Sequence, residues 1–123
     1  MRKASIAAIR KIREGGILAV INTEIIQEIL YRFQSIKKLP IGIQLSREAI
    51  LISYQILSVT QKDISLAIEL LESHPKVETR DAFHAATMIN NNIKEIISTD
   101  SHFDLIPQIQ RIDPKKLNNR IIY

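Results

Sequence analysis

Three acids stand where a parallel α/β sheet would gather its ligands. Glu28 lies one turn into a helical segment that follows an apolar run at 17–21. Asp81 opens an alanine-rich helical segment, and Asp100 directly follows Ile96-Ile97-Ser98-Thr99. Ligands of such sheets collect outside the carboxyl ends of the strands. Carboxylates brought from separate elements into one crevice repel one another, and a hard divalent cation with oxygen ligands neutralises them. The expected ion is Mg2+ or Mn2+. It would polarise a phosphoryl oxygen and lower the pKa of a water for attack on a phosphodiester, with a second ion, where present, stabilising the leaving oxygen. Hydrolysis of a nucleic-acid backbone is the chemistry that these residues suggest.

Each acid also has a plainer use. Asp81 complements a helix dipole, an effect of ~0.3–1 kcal/mol. Asp100 fits an N-cap or a turn after a strand. Glu28 can pair with Arg32 one turn on, a surface contact of ~0.3–0.5 kcal/mol. Spacing alone leaves both sets of readings open.

The elements that must position these acids can be read from periodicity. Residues 4–14 place Ala8, Ile9 and Ile12 at helical spacing, and Gly15-Gly16 suits the left-handed turn that ends a helix. Ile17-Leu18-Ala19-Val20-Ile21 reads as a strand, and Asn22-Thr23-Glu24 as the capped, acidic start of a helix running to about Gln34. A further helix is expected at 44–56 and a short strand at Leu57-Ser58-Val59. Thr60-Gln61-Lys62-Asp63 then has the form of a capping box, and Ile64, Ala67, Ile68 and Leu71 supply that helix's buried stripe. After Pro75, the helix at 80–91 carries Ala82, Ala85, Ala86 and Ile89 on one face, small enough to lie close to a sheet. A strand is centred on Ile96-Ile97, a short helix or turn follows Ser101, and Ile109 to Ile112 fits an edge strand. Ile121-Ile122-Tyr123 suits either a frayed tail or a docked strand. The alternation predicts an α/β fold of three α/β/α layers around a mainly parallel central sheet.

Composition narrows the class. The 123 residues fit one domain, 1–123, with 46% hydrophobic and 24% charged residues, the balance of a globular chain and not a disordered one. No apolar run approaches the roughly 18 residues that would span a bilayer, and Met1-Arg2-Lys3 leads into an amphipathic stretch, so no membrane association is expected and the location is read as cytoplasmic. Without cysteine there are no disulfides or thiolate sites; a metal would be held by hard oxygen ligands or by the three histidines. The net charge of +4 suits a nucleic-acid partner, with Arg2, Lys3, Arg10, Lys11 and Arg13 near one end and Lys115, Lys116 and Arg120 near the other. Such clusters are equally the solvated faces of helices and tails.

Three segments together carry a family resemblance. Asn22-Thr23-Glu24-Ile25-Ile26-Gln27-Glu28-Ile29-Leu30 resembles the PIN family's helix after a strand, which bears a metal-site glutamate. Arg80-Asp81-Ala82-Phe83-His84-Ala85-Ala86-Thr87 is similar to the family's Asp-Ala-x-x-Ala-Ala helix start. Ser98-Thr99-Asp100-Ser101-His102-Phe103-Asp104 resembles its strand-end Thr-x-Asp-x-x-Phe motif. The three occur in family order and cover the chain from about residue 17 to Pro114. The resemblance implies a metal-dependent ribonuclease site of Glu28, Asp81 and Asp100, with Asp104 a lesser metal ligand and the Thr99 hydroxyl placed to orient the attacking water. His102 occupies a place where another acid often stands in the family. His84, one turn from Asp81, could face the same crevice, but a lone histidine on such a helix reads as a packed or hydrogen-bonded residue outside the mechanism; His74 reads as loop.

PIN domains usually open on a strand ending in an aspartate, in a pattern such as Asp-Thr-Asn, which this chain does not contain. Judged by the resemblance, roughly 20 residues of strand and loop precede the first matching element in the family. A PIN-like fold truncated in this way is the expectation, and three explanations stand: the native chain starts earlier than Met1, the chain is a natural remnant, or the slot of the central strand is filled by the tail Ile121-Ile122-Tyr123 or by a second copy in a homo-oligomer. An active enzyme is expected where a longer native chain supplies the aspartate. Two functions follow: an Mg2+- or Mn2+-dependent endoribonuclease, toxin-like with an antitoxin protein as partner or engaged in RNA processing; or an inactive PIN scaffold that binds RNA or protein. A nucleotide-binding enzyme is disfavoured by three glycines in total and by the absence of a P-loop or Gly-x-Gly-x-x-Gly.

Overall fold

A computed structural model describes residues 18–98, 101–113 and 121–122. The helix expected at 4–14, the Gly15-Gly16 turn, both basic clusters, Thr99, Asp100 and Tyr123 lie outside the described residues.

The elements run in the order β1 (Leu18–Asn22), α1 (Thr23–Ser35), α2 (Leu39–Ile52), β2 (Gln55–Leu57), α3 (Gln61–Ser73), α4 (Thr79–Asn90), β3 (Glu95–Ile97), a 3₁₀ turn (Ser101–Leu105), β4 (Gln110–Ile112) and β5 (Ile121–Ile122). The fold is mixed α/β, and every strand pair among the described residues is parallel. Where one central sheet was expected, the hydrogen-bonded strands form two groups, β2-β1-β5 and β3-β4. β5 pairs with β1 in the register Leu18 to Ile121 and Ala19 to Ile122, and it also lies against β3, so it stands between the two groups. Of the two options for the tail, the structure adopts the docked strand.

Local chemistry sets the element boundaries. Asn22 caps α1 by accepting the Ile25 N–H, and Thr60 and Asp63 form the reciprocal capping box at α3. The helix expected at 44–56 instead spans Leu39–Ile52. Lys37, at φ 62°, turns the chain sharply after α1, and a proline in the first turn of α2 starts the helix early. Gly42 does not break it: the glycine lies where α2 presses on α1, and a Cβ there would meet Phe33 Cβ at 2.8 Å. The strand expected at 57–59 falls at Gln55–Leu57, because β1 recruits this segment: Val20 pairs with Gln55 and Tyr54 N–H reaches Ala19 O at 2.8 Å. β4 pairs only with β3 among the described strands, as an edge strand does.

Helices pack in two pairs, α1 on α2 and α3 on α4. The core lies under the second pair. Ala67, Ala82, Ala85, Ala86 and Met88 are fully buried, joined by Val20, Leu70, Val77, Ile96, Phe103, Ile106 and Ile109. No helix among the described residues is long and apolar enough to cross a membrane.

Candidate metal site

Asn22 ends β1 and begins α1. That double position buries its side chain completely and fixes its amide, since the Ile25 N–H can only donate and therefore meets Oδ1 at 3.1 Å. The amide nitrogen is left facing the Nδ1 of His84 at 3.0 Å. Across the imidazole ring, Nε2 lies 3.3 Å from Oε2 of Glu28.

Glu28 is thus joined to the first turns of α4. Its other oxygen, Oε1, lies 3.3 Å from an Arg80 guanidinium nitrogen, and Arg80 also reaches Glu78 Oε2 at 3.1 Å. The hydrogen bond from His84 holds the Glu28 carboxyl below its ordinary value of 4.5. Partial burial pushes the other way, and the positive charges of His84, when protonated, of Arg80 and of Arg32 add smaller downward contributions. Arg32, the plain partner expected from helical spacing, is the weakest of these influences. A carboxylate kept ionised and turned toward a second helix is a suitable hard-oxygen donor.

Asp81 lies in the first turn of α4, one turn before His84, and only 6% of its surface is exposed. α4 has no side-chain cap at Glu78, so Asp81 is the acid that faces its N-terminal dipole. Burial of a carboxylate far exceeds what dipole complementation requires. The His84–Glu28 and Arg80–Glu28 contacts place Glu28 against the first two turns of α4, the helix whose first turn also carries Asp81.

The other expected ligands differ. Asp100 and Thr99 lie outside the described residues. Asp104 is forked by Arg111, with Nε to Oδ1 at 3.1 Å and Nη2 to Oδ2 at 3.2 Å, while Nη1 of the same guanidinium reaches Ser98 O at 3.3 Å. This clamp ties the 3₁₀ turn to β4, and Phe103 beneath it is buried in the core. His102 is exposed on the same turn. Among the described residues there is no group of three or more His, Cys, Asp or Glu able to hold a metal ion.

Reasoning from sequence missed two members of the cluster. The sequence offers His84 as a packed or hydrogen-bonded residue outside the mechanism and Asn22 as a helix cap; both descriptions hold, yet together the two residues make a polar connection from the cap to Glu28. The available signal was that a histidine on the alanine face of a core helix requires polar partners.

Comparison with known proteins agrees with the motif reading. A family model described as "PIN domain" matches residues 2–108. "Ribonuclease VapC13" of Mycobacterium tuberculosis and "VapC ribonuclease Mb1869c" of Mycobacterium bovis are each 32% identical over 99 residues, which is 80% of this chain and 75% of theirs. No solved structure matches.

Proposed function

Because the chain belongs to the PIN domain family, we propose that it is an endoribonuclease of the VapC toxin type, cutting RNA phosphodiesters with Mg2+ or Mn2+. The observation that carries this reading is the junction of α1 and α4, where Glu28, ionised, is held by His84 and Arg80 of the helix whose first turn carries the buried Asp81. Hard oxygen donors of this kind suit either ion. Glu28, Asp81 and Asp100 hold it, and the ion supplies charge neutralisation at the phosphoryl group and activation of water. Asp104 stands at the edge of the set: Arg111 already takes both of its oxygens, so a share in holding the ion requires that pair to open.

The protein's own groups supply the remaining functions. Asp81 provides fixed negative charge at a helix start. Arg80, half-exposed beside Glu28, can pass from its carboxylate partners to an incoming phosphate without leaving the site. Thr99 orients the attacking water, and basic residues track the RNA backbone. The relatives are named VapC ribonucleases, which supports RNA as the substrate; in this reading the protein acts in the cytoplasm with an antitoxin protein as partner, and the exposed apolar residues of α2, Ile50 and Leu51 among them, suit a homo-oligomeric contact.

The deciding variant is Asp81→Asn. Mn2+-dependent cleavage of a single-stranded RNA should fall at least a hundredfold, with the thermal midpoint nearly unchanged. Cleavage retained in the variant would remove the acids from the reaction. RNA binding without any cleavage by the unaltered chain would make it a binding scaffold instead.

A further inference from the structure

We propose that His84 is a positioning residue, fixed by Asn22 as the Nε2–H tautomer so that its single ring proton orients Glu28 toward the divalent cation. The inference rests on the reading of Glu28 and Asp81 as cation ligands and adds the group that aligns them.

The tautomer follows from the chain of donors. A backbone N–H can only donate, so Ile25 N–H selects Oδ1 of Asn22. The Asn22 amide nitrogen can only donate, so His84 Nδ1, 3.0 Å away, must accept and carries no proton. The ring proton is therefore on Nε2, where the group 3.3 Å away is a Glu28 oxygen that can only accept. Reversing the amide would set Asn22 Nδ2 against the Ile25 N–H, donor against donor, in a side chain with no exposure to water. The polarity of this line of bonds thus begins at the N-terminus of α1 and ends on the carboxylate.

Burial defines the role further. His84 has a side-chain exposure of 7%, against 29% for Glu28, so the ring lies behind the carboxylate and not in front of it. It is one helical turn from Asp81. A hydrogen bond from that turn to Glu28 sets the separation of the two acids, which belong to different helices, and Arg80 holds the second oxygen. Each carboxylate oxygen accepts one bond there and retains another lone pair for a cation. Partners of this kind, one shell behind the ligands, commonly change metal affinity by about 10–100-fold when removed.

Two measurements on the full chain test the assignment. Long-range 1H–15N correlation on the unaltered protein should show His84 with a bare Nδ1 and a protonated Nε2, its signals identified by their loss in His84→Gln; a proton on Nδ1 of the neutral ring overturns the proposal. This readout needs neither a folded apolar variant nor a metal. Calorimetric titration with MnCl2 is the second. His84→Leu should weaken binding about tenfold or more, whereas His84→Gln, whose amide nitrogen reaches the Nε2 position, should restore most of the affinity. Asp81→Asn serves as the separate control of the cation site. Loss of Mn2+ binding in Asp81→Asn with unchanged affinity in His84→Leu would overturn the positioning role and leave the cation site standing. Unchanged affinity in Asp81→Asn, or no Mn2+ binding by the unaltered chain, would overturn both.

Discussion

The α3/α4 pair and the α1/α2 pair treat a buried polar group in opposite ways. Asp63 is only 2% exposed, and its carboxylate accepts the Thr60 N–H at 2.9 Å and the Asn90 amide at 2.7 Å. Ser46, buried at 5% on α2, has no hydrogen-bond partner for its hydroxyl among the described residues. The apolar residues divide less sharply: α4 buries Ala82, Ala85, Ala86 and Met88, and α3 buries Ala67 and Leu70 while leaving Ile64 and Ile68 exposed, whereas α1 has no buried residue and Ile36, Ile50 and Leu51 are exposed. One pair is a consolidated core. The other is a hairpin of two packed helices with little fully buried apolar surface, attached to α4 through Glu28.

Replacing Asp63 by alanine gives the largest expected effect, because it removes one arm of a capping box and leaves the Asn90 amide without its acceptor. Chemical denaturation should show a loss of about 2–3 kcal/mol. Gly42→Ala sharpens the contrast in the hairpin. The added Cβ meets the Phe33 Cβ, an atom that cannot swing away, so overpacking outweighs the roughly 1 kcal/mol gain in helix propensity and leaves a net loss of about 1 kcal/mol. Ser46→Ala should reverse the sign: removing a hydroxyl that has no partner stabilises by about 0.5–1 kcal/mol. If Asp63→Ala proved neutral, or Ser46→Ala strongly destabilising, the division between the two pairs would not stand.

The attachment through Glu28 predicts the smallest and most condition-dependent effect. Its folded-state pKa is lowered, so the stability it contributes is fully present above its unfolded value, near 4.5, and is lost as pH falls through the lower folded value. Unfolding followed between pH 6 and pH 3 should decline more steeply for the unaltered chain than for Glu28→Gln. Hydrogen exchange should show α1 loosening before α4 over the same range. Equal slopes would mean that the ionised carboxylate does not bind the two pairs together.

Much of this organisation is legible in the residues themselves. The capping box at Thr60 and Asp63, the alanine stripe of α4 and the strand-to-helix passage at Asn22 are local signals in which propensity, patterning and chemistry agree. The start of α2 was not legible, because a proline and a glycine that usually punctuate a chain serve here as an N-terminal turn and as a close helix contact. The position of β2 depends on which residues β1 recruits, a long-range choice that a three-residue window does not encode. At the candidate site, Glu28 and Asp81 could be named from motif and position. The connection from Asn22 through His84 joins residues 62 positions apart, and only folding brings them together.

β5 has a consequence for how the molecule is assembled. β1 spans residues 18–22, and the strand that pairs with its second edge comes from residues 121–122, so this contact closes a loop of roughly a hundred residues. A pairing of such high contact order forms late. Until it does, a row of backbone donors and acceptors next to the residues that lead into Asn22 remains open to any extended segment nearby. During synthesis on the ribosome that interval lasts until β5 has emerged, which leaves the edge of β1 open to pairing with neighbouring chains for that time.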